Sequence, residues 1–459
     1  MHIQLPKCIR KTLDNGMTVL IMPFNHLPLI TFRMLFPHGA AHDDDGCYGC
    51  AHLTGELLNK GSHNYSAQSF IREVEQIGGI LGSSTNIDYS VIVGEFLSHQ
   101  FNTGMTLLSE MVRNPIFPPD EIEKEKRKVI GEIIGKQDSP SYLADLHFRN
   151  FLYKNHPYGH PVEGNQETII SISREHLTQK YTLQYQPKDA ILIIVGDIDP
   201  GSAEQIVRTH FESWTSHAVS AQSIAVSEAA KSPGIRLVDK PEMTQVQIRL
   251  GNVGIRRKNP DFFQIVVMNS ILGGGFTSRL INQIRVKRGL SYSAWSRFSM
   301  RMHGGECVIG TFTKNESVGE VINLIKEELR KMQNEVVANA EIERVKEYLT
   351  GLFPLSLEPS ENIARLLSEI EFYNLEPDSI SQYCSRIQEV TIDQIHECAK
   401  KYLPVQNPVI VAVGTASEIQ KTLESFGPVE VYPYNKQLSL SSENQSRVKS
   451  RGIEESEDS

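Results

Sequence analysis

The densest run of chemically capable side chains is Gly49-Cys50-Ala51-His52-Leu53-Thr54-Gly55-Glu56-Leu57-Leu58-Asn59-Lys60-Gly61-Ser62. His52 and Glu56 stand four positions apart, so a helix sets both on one face. A second predicted helix, Glu125-Lys126-Arg127-Lys128-Val129-Ile130-Gly131-Glu132-Ile133, carries Glu125 and Glu132 on a shared face. One imidazole with carboxylates is a feasible zinc set, although sets richer in His or Cys are preferred. The plainer reading is a hydrogen-bonded His52–Glu56 pair under a loop, with no metal. Cys47-x-x-Cys50 beside His52 gives a third reading, a soft metal or redox site. A single C-x-x-C is a weak signal, and cysteine also packs well in cores.

A second segment, Leu272-Gly273-Gly274-Gly275-Phe276-Thr277-Ser278-Arg279-Leu280-Ile281-Asn282-Gln283-Ile284-Arg285-Val286-Lys287-Arg288-Gly289-Leu290-Ser291-Tyr292, is glycine-rich and then helical. It is not a phosphate cradle, because the G-K-[ST] ending is missing and no G-x-G-x-x-G follows a strand. Read alone, Arg285 is a solvated helix residue and Tyr292 a core strand residue.

The frame around both segments resembles the inverted zinc peptidases, the pitrilysin, insulinase and mitochondrial processing peptidase family. That family carries H-x-x-E-H on a helix, with two zinc-binding His and a water-activating Glu; a third ligand, Glu, follows about 75 residues on. Here G-x-A-H precedes and K-G-S follows the motif. The resemblance makes His52 the first ligand, puts Gly55 in the place of the catalytic Glu, and puts Glu56 in the place of the second His. Glu132, 76 residues beyond Glu56, falls at the third ligand. Asp14-Asn15-Gly16, Gly78-Gly79, Asp138-Ser139-Pro140 and His156-Pro157-Tyr158-Gly159-His160-Pro161 keep the family's order, so the resemblance runs from about residue 8 to 425.

The second segment is similar to the family's second-domain signature: a Gly-rich turn, S-R-L, a helix, then R-G-L-x-Y. The resemblance implies that Arg285 and Tyr292 reach an active site from the opposing domain and steady the substrate carbonyl. Such a pair is one charged and one neutral donor for a developing oxyanion. Gly82-Ser83-Ser84-Thr85 falls where the family offers an edge strand to an extended peptide, although Asn is more usual at Gly82.

The departures decide the chemistry that is expected. Gly55 has no side chain to take a proton, and general-base catalysis is worth about 10²–10⁴-fold. Two carboxylates and one His would nearly over-neutralise zinc and leave its water less acidic. Glu125 is the neighbouring carboxylate left as a substitute base. Zinc is therefore expected to bind weakly or not at all at His52, Glu56 and Glu132.

These residues need elements to hold them, and the chain repeats those elements once. Ile30-Thr31-Phe32-Arg33-Met34-Leu35 matches Val246-Gln247-Ile248-Arg249-Leu250 at an offset of 216, each with an outward-type Arg. Ile191-Leu192-Ile193-Ile194-Val195-Gly196 matches Val409-Ile410-Val411-Ala412-Val413-Gly414 at an offset of 218. Two matches at nearly one offset predict duplicated domains. His52 then maps to Met268 and Glu56 to Leu272, so the second domain holds no spare metal site. Strand pairs are expected at 17–23 with 30–36 and at 80–84 with 89–96, followed by helices over 100–112, 118–135 and 142–152. The expected fold is α+β: two homologous domains, 1–220 and 221–437, each a mostly antiparallel sheet packed with helices, forming half of a clamshell-like chamber. The segment 438–459 is too poor in apolar residues to pack and is predicted disordered.

A net charge of -9 gives no electrostatic case for nucleic acid. No apolar run approaches a membrane span, and the N-terminus lacks a signal-peptide layout. Six cysteines in 459 residues suit a reducing compartment, so a cytoplasmic location is expected. The leading functional expectation is a non-catalytic or weakly catalytic subunit that handles peptides beside a related chain with an intact H-x-x-E-H, or as a homodimer. The alternatives are a self-sufficient zinc endopeptidase using His52, Glu56 and Glu132, and a non-enzymatic peptide-binding or assembly protein.

Overall fold

Ile191–Gly196 and Val409–Gly414 are apolar at nearly every position, so each must be covered on both faces. In the computed structural model, which describes residues 5–217, 224–227, 234–436 and 438, each lies inside a six-stranded sheet.

The first half runs β1 (Ile9–Thr12), β2 (Thr18–Pro23), β3 (Leu29–Phe36), α1 (Cys50–Leu57), α2 (Ala67–Gln76), β4 (Ile80–Thr85) and β5 (Ser90–Leu97). Helices follow: α3 (Phe101–Arg113), α4 (Pro119–Lys136), α5 (Pro140–Tyr153), α6 (Gln166–Ser171) and α7 (Arg174–Gln184). It closes with β6 (Ile191–Gly196) and α8 (Pro200–Phe211). The second half runs β7 (Ile235–Asp239), β8 (Gln245–Val253), α9 (Phe262–Leu272), a π-helical segment (Ile281–Val286), β9 (Ala294–Met300) and β10 (Gly305–Lys314). Then come α10 (Val318–Asn334), α11 (Asn339–Leu355), α12 (Ser360–Phe372), α13 (Tyr383–Gln388) and α14 (Ile392–Tyr402). It ends with β11 (Val409–Gly414), α15 (Ala416–Glu424) and β12 (Val429–Pro433).

The strand orders are β1-β2-β6-β3-β5-β4 and β12-β7-β11-β8-β10-β9. From the second strand inward they correspond one to one, and the registers agree. Arg33 of β3 lies opposite Ile193 of β6, and Arg249 of β8 opposite Val411 of β11. The internal repeat is thus a repeat of topology, and the fold is the expected α+β pair.

Two expectations need correction. The 17–23 and 30–36 strands do not form a hairpin, because β6 lies between them, parallel to β2 and antiparallel to β3. A strand that is apolar on both faces needs an interior place, and this position supplies it. The outward-type arginines do not face solvent on the sheets' outer side: Arg33 and Arg249 are both buried.

Their burial has a reciprocal cause. Helix α5 of the first half packs on β7, β8 and β11, and α12 of the second half packs on β3 and β6. Leu143, Phe148 and Leu152 of α5 meet Val238, Val409 and Val411 in one core. Ile363, Ala364 and Leu367 of α12 meet Leu35, Ile193 and Val195 in another. Each half therefore covers the outer face of the other's sheet. The boundary expected at 220/221 and, apart from Leu438, the tail expected at 438–459 lie outside the described residues.

Candidate functional site

Helix α1 begins at Gly49, whose φ of 93° is left-handed and suits glycine. A Cβ there would stand 2.6 Å from the Glu163 carbonyl oxygen. The buried Asp43 carboxylate accepts from the Gly49 and Ala51 N–H groups, each at 2.9 Å, and so caps the helix. Lys180 Nζ, 3.1 Å away, balances its charge. On the other flank, β4 forms the edge of the first sheet. Its Ser83 hydroxyl donates to the Gly55 carbonyl at 2.6 Å, and Thr85 donates to that of Ala51 at 3.2 Å. The motif helix is thus clamped between a buried ion pair and an edge strand whose outer side meets no further strand among the described residues.

Helix α4 lies against α1 and meets it through charge. Lys128 Nζ donates to Glu125 Oε1 at 2.6 Å and to Glu56 Oε2 at 3.2 Å. Burial works against the Lys128 ammonium, but the two carboxylates outweigh it and hold its pKa above the usual lysine range. Glu125 is buried and Glu132 exposed. His52 is half-buried and lies near Glu163. Burial pushes the Glu163 carboxyl up, but Lys136 Nζ at 2.6 Å outweighs this, with His52 contributing, and holds it below the usual range.

Among the described residues, no group of three or more His, Cys, Asp and Glu side chains could hold a metal ion. The donors themselves fit zinc poorly. Glu56 is engaged by an ammonium, and His52 lies beside a carboxylate that is paired with Lys136. Gly55 is buried, and a Cβ on it would approach Thr85 Oγ1 to 3.0 Å. Cys50 offers no alternative: burial pushes its thiol up to about 12, and the cysteines are free thiols.

The second segment is arranged differently. The Gly-rich turn presents Phe276 at 82% exposure, and Tyr292 stands 80% exposed. The exposed Arg285 guanidinium lies 6.0 Å from the Phe276 ring centroid. Neither Arg285 nor Tyr292 shares a hydrogen bond or ion pair with His52, Glu56 or Glu132 among the described residues. Met268 and Leu272, the repeat partners of His52 and Glu56, are fully buried core residues.

Sequence reasoning missed Lys128, Lys136, Asp43 and Lys180. Glu125 and Lys128 are visible as an i,i+3 pair, but the bond from Lys128 to Glu56 crosses helices and leaves no local trace. No helix among the described residues is long and apolar enough to cross a membrane.

A family model described as Insulinase (Peptidase family M16) matches residues 28–166. One described as Peptidase M16 inactive domain matches residues 171–349. An uncharacterized zinc protease of Rickettsia bellii is 27% identical over 387 residues, which cover 83% of this chain and 92% of that protein. An uncharacterized zinc protease of Bacillus subtilis is 23% identical over 392 residues, covering 85% and 95%. The crystal structure of a peptidase M16 inactive domain from Pseudomonas fluorescens matches with a TM-score of 0.84 at 26% identity, covering 89% of this chain and 98% of that one. A Helicobacter pylori protease structure shares the fold at a TM-score of 0.82 and 23% identity, covering 89% and 100%. With two models of one family following one another over residues 28–166 and 171–349, and the fold shared with these neighbours over 89% of its length, the chain belongs to peptidase family M16, the insulinase family.

Proposed function

We propose that the chain is the non-catalytic or weakly catalytic member of a two-chain peptidase and supplies Arg285 and Tyr292 to a site held by its partner. One contrast carries this reading. Glu56 is tied to Lys128 and Gly55 offers no base, whereas Arg285 and Tyr292 stand exposed and, among the described residues, enter no ion pair or side-chain hydrogen bond. A charged donor and a phenol presented in this way suit a carbonyl oxygen that gains charge in the transition state. The partner is a related chain with an intact H-x-x-E-H, because a homodimer would bring no water-activating Glu. His52, Glu56 and Glu132 carry no catalytic ion in this reading. An extended peptide adds to the open edge of β4 by backbone pairing. The pair works in the cytoplasm, where its free thiols are stable.

The test is turnover of a peptide by the reconstituted pair with Arg285→Ala, and separately with the partner's zinc His removed. The first change should lower kcat by about 10²–10³. The loss should fall on kcat, since the contact strengthens as charge builds on the carbonyl oxygen. If only the second change abolishes activity, the trans role is wrong.

A further inference from the structure

We propose that the Lys128 ammonium takes the place and the charge of the family's ion, so that the first half of this chain is a metal-free site. The ammonium bridges one carboxylate on each of two packed helices: Glu56 on α1 at 3.2 Å and Glu125 on α4 at 2.6 Å. An ion held through Glu56 would have to compete with the ammonium for that carboxylate, and its charge would stand beside Lys128. The Glu125 side chain is only 6% exposed, so it needs a cation beside it, and Lys128 is the cation it has. The ammonium is covalently tethered one turn along the same helix, so its local concentration far exceeds that of any free ion. A metal could enter only by displacing Lys128, and the displaced ammonium would still repel it from nearby. Glu132, one turn beyond Lys128 along α4, is exposed, so water solvates its carboxylate and it does not need an ion as Glu125 does. Lys128 fills this role in the chain alone, whether or not Arg285 works in trans.

The test uses the full chain without a partner. Purified protein is stripped with chelator, equilibrated with zinc sulfate, desalted and assayed for bound zinc by atomic emission. The wild type should retain no stoichiometric zinc, and its melting temperature should be the same with and without zinc. Lys128→Met, which frees Glu56 and Glu125, should bind zinc at least about tenfold more tightly than the wild type. Lys128→Arg keeps the cation and should bind no more than the wild type. One zinc retained per wild-type chain, a zinc-raised wild-type melting temperature, or a Lys128→Met affinity equal to the wild type would each overturn the proposal. The melting experiment needs no variant, so it decides the matter even if Lys128→Met does not fold.

Discussion

Arg249 of the second sheet reaches into the first half to Asp145 of α5, with Nε 2.6 Å from Oδ1. Its second nitrogen donates to Ser141 Oγ at 2.9 Å, and the guanidinium lies 5.3 Å from the Trp295 ring centroid. The repeat places Arg33 at the equivalent position under α12, but with poorer partners. Arg33 Nε is buried and has no hydrogen-bond partner among the described residues, and burial lowers the guanidinium's pKa, only partly offset by Tyr89, Glu361 and Glu369. The two exchanged helices are therefore pinned differently, α5 by the buried Arg249–Asp145 pair, and α12 by the more exposed Arg10–Glu371 pair, the Thr31–Ser360 hydrogen bond and apolar packing.

The Arg249–Asp145 pair should respond asymmetrically to truncation. The Arg249 side chain is 2% exposed and that of Asp145 33%. Asp145→Ala strands a buried guanidinium and should cost about 3 kcal/mol in urea unfolding. Arg249→Met should cost less, because Asp145 can rehydrate and the apolar stem is kept. The reverse order would show that packing against Trp295, rather than the ion pair, carries the position.

The helix exchange predicts one cooperative unfolding transition. Without the second sheet, α5 would expose Leu143, Phe148 and Leu152. The chain has two tryptophans, Trp214 and Trp295, one in each half, so each single Trp→Phe variant reports on the other half. The two fluorescence midpoints should coincide in urea, and a fragment of residues 1–220 should lack a sharp transition. Separate midpoints would mean that the halves fold independently despite the exchange.

Acid should destabilise the fold through its buried imidazoles. Burial, helped by the neighbouring His38, lowers His42 to about 4, and burial with nearby Arg236 lowers His147 to about 3. A depressed pKa means that the unfolded chain takes up the proton first as pH falls. Stability from these groups is thus complete above about pH 6.5 and is lost toward pH 4 and then 3. Within its window each group contributes a slope of up to about 1.4 kcal/mol per pH unit. His42→Asn should flatten the dependence of urea stability between pH 6 and 4. An unchanged slope would remove His42 from the account.

The strand repeat was legible because a run such as Ile191-Leu192-Ile193-Ile194-Val195 has no place except inside a sheet, and it recurs at 409–413. The pairing order was not legible. Thr18–Pro23 and Leu29–Phe36 are near neighbours in sequence, and nothing local announces that a strand from residue 191 will separate them. At the site, the loss of the base at Gly55 could be read from one letter. The cation that meets Glu56 could not, because Lys128 lies on another helix and lysine on a charged helix reads as solvated surface. Arg33 and Arg249 misled for a related reason: alternation correctly turned them away from the inner core, but the helix covering that face comes from the other half.

Gly55 gives the last prediction. It lies inside α1, where alanine is preferred over glycine by about 1 kcal/mol. A Cβ would nevertheless stand 3.0 Å from Thr85 Oγ1. That oxygen is held by the Ala51 carbonyl at 3.2 Å and Ser90 Oγ at 2.9 Å, so it cannot retreat without losing them. Gly55→Ala should therefore destabilise the protein by roughly 1 kcal/mol. In a Thr85→Ala background the crowding is gone and Gly55→Ala should stabilise, by up to about 1 kcal/mol. The same wall bears on rebuilding the motif. In Gly55→Glu with Glu56→His, the new Glu carries a longer side chain toward Thr85, and Lys128 still stands against Glu125. The double variant alone should hydrolyse peptide no faster than the wild type. Adding Lys128→Met to it should raise zinc binding before it raises turnover, because the ion's place must be vacated before water can be activated there. Rapid zinc-dependent hydrolysis by the double variant with Lys128 intact would mean that the lysine swings aside freely and that only the letters of the motif were lost.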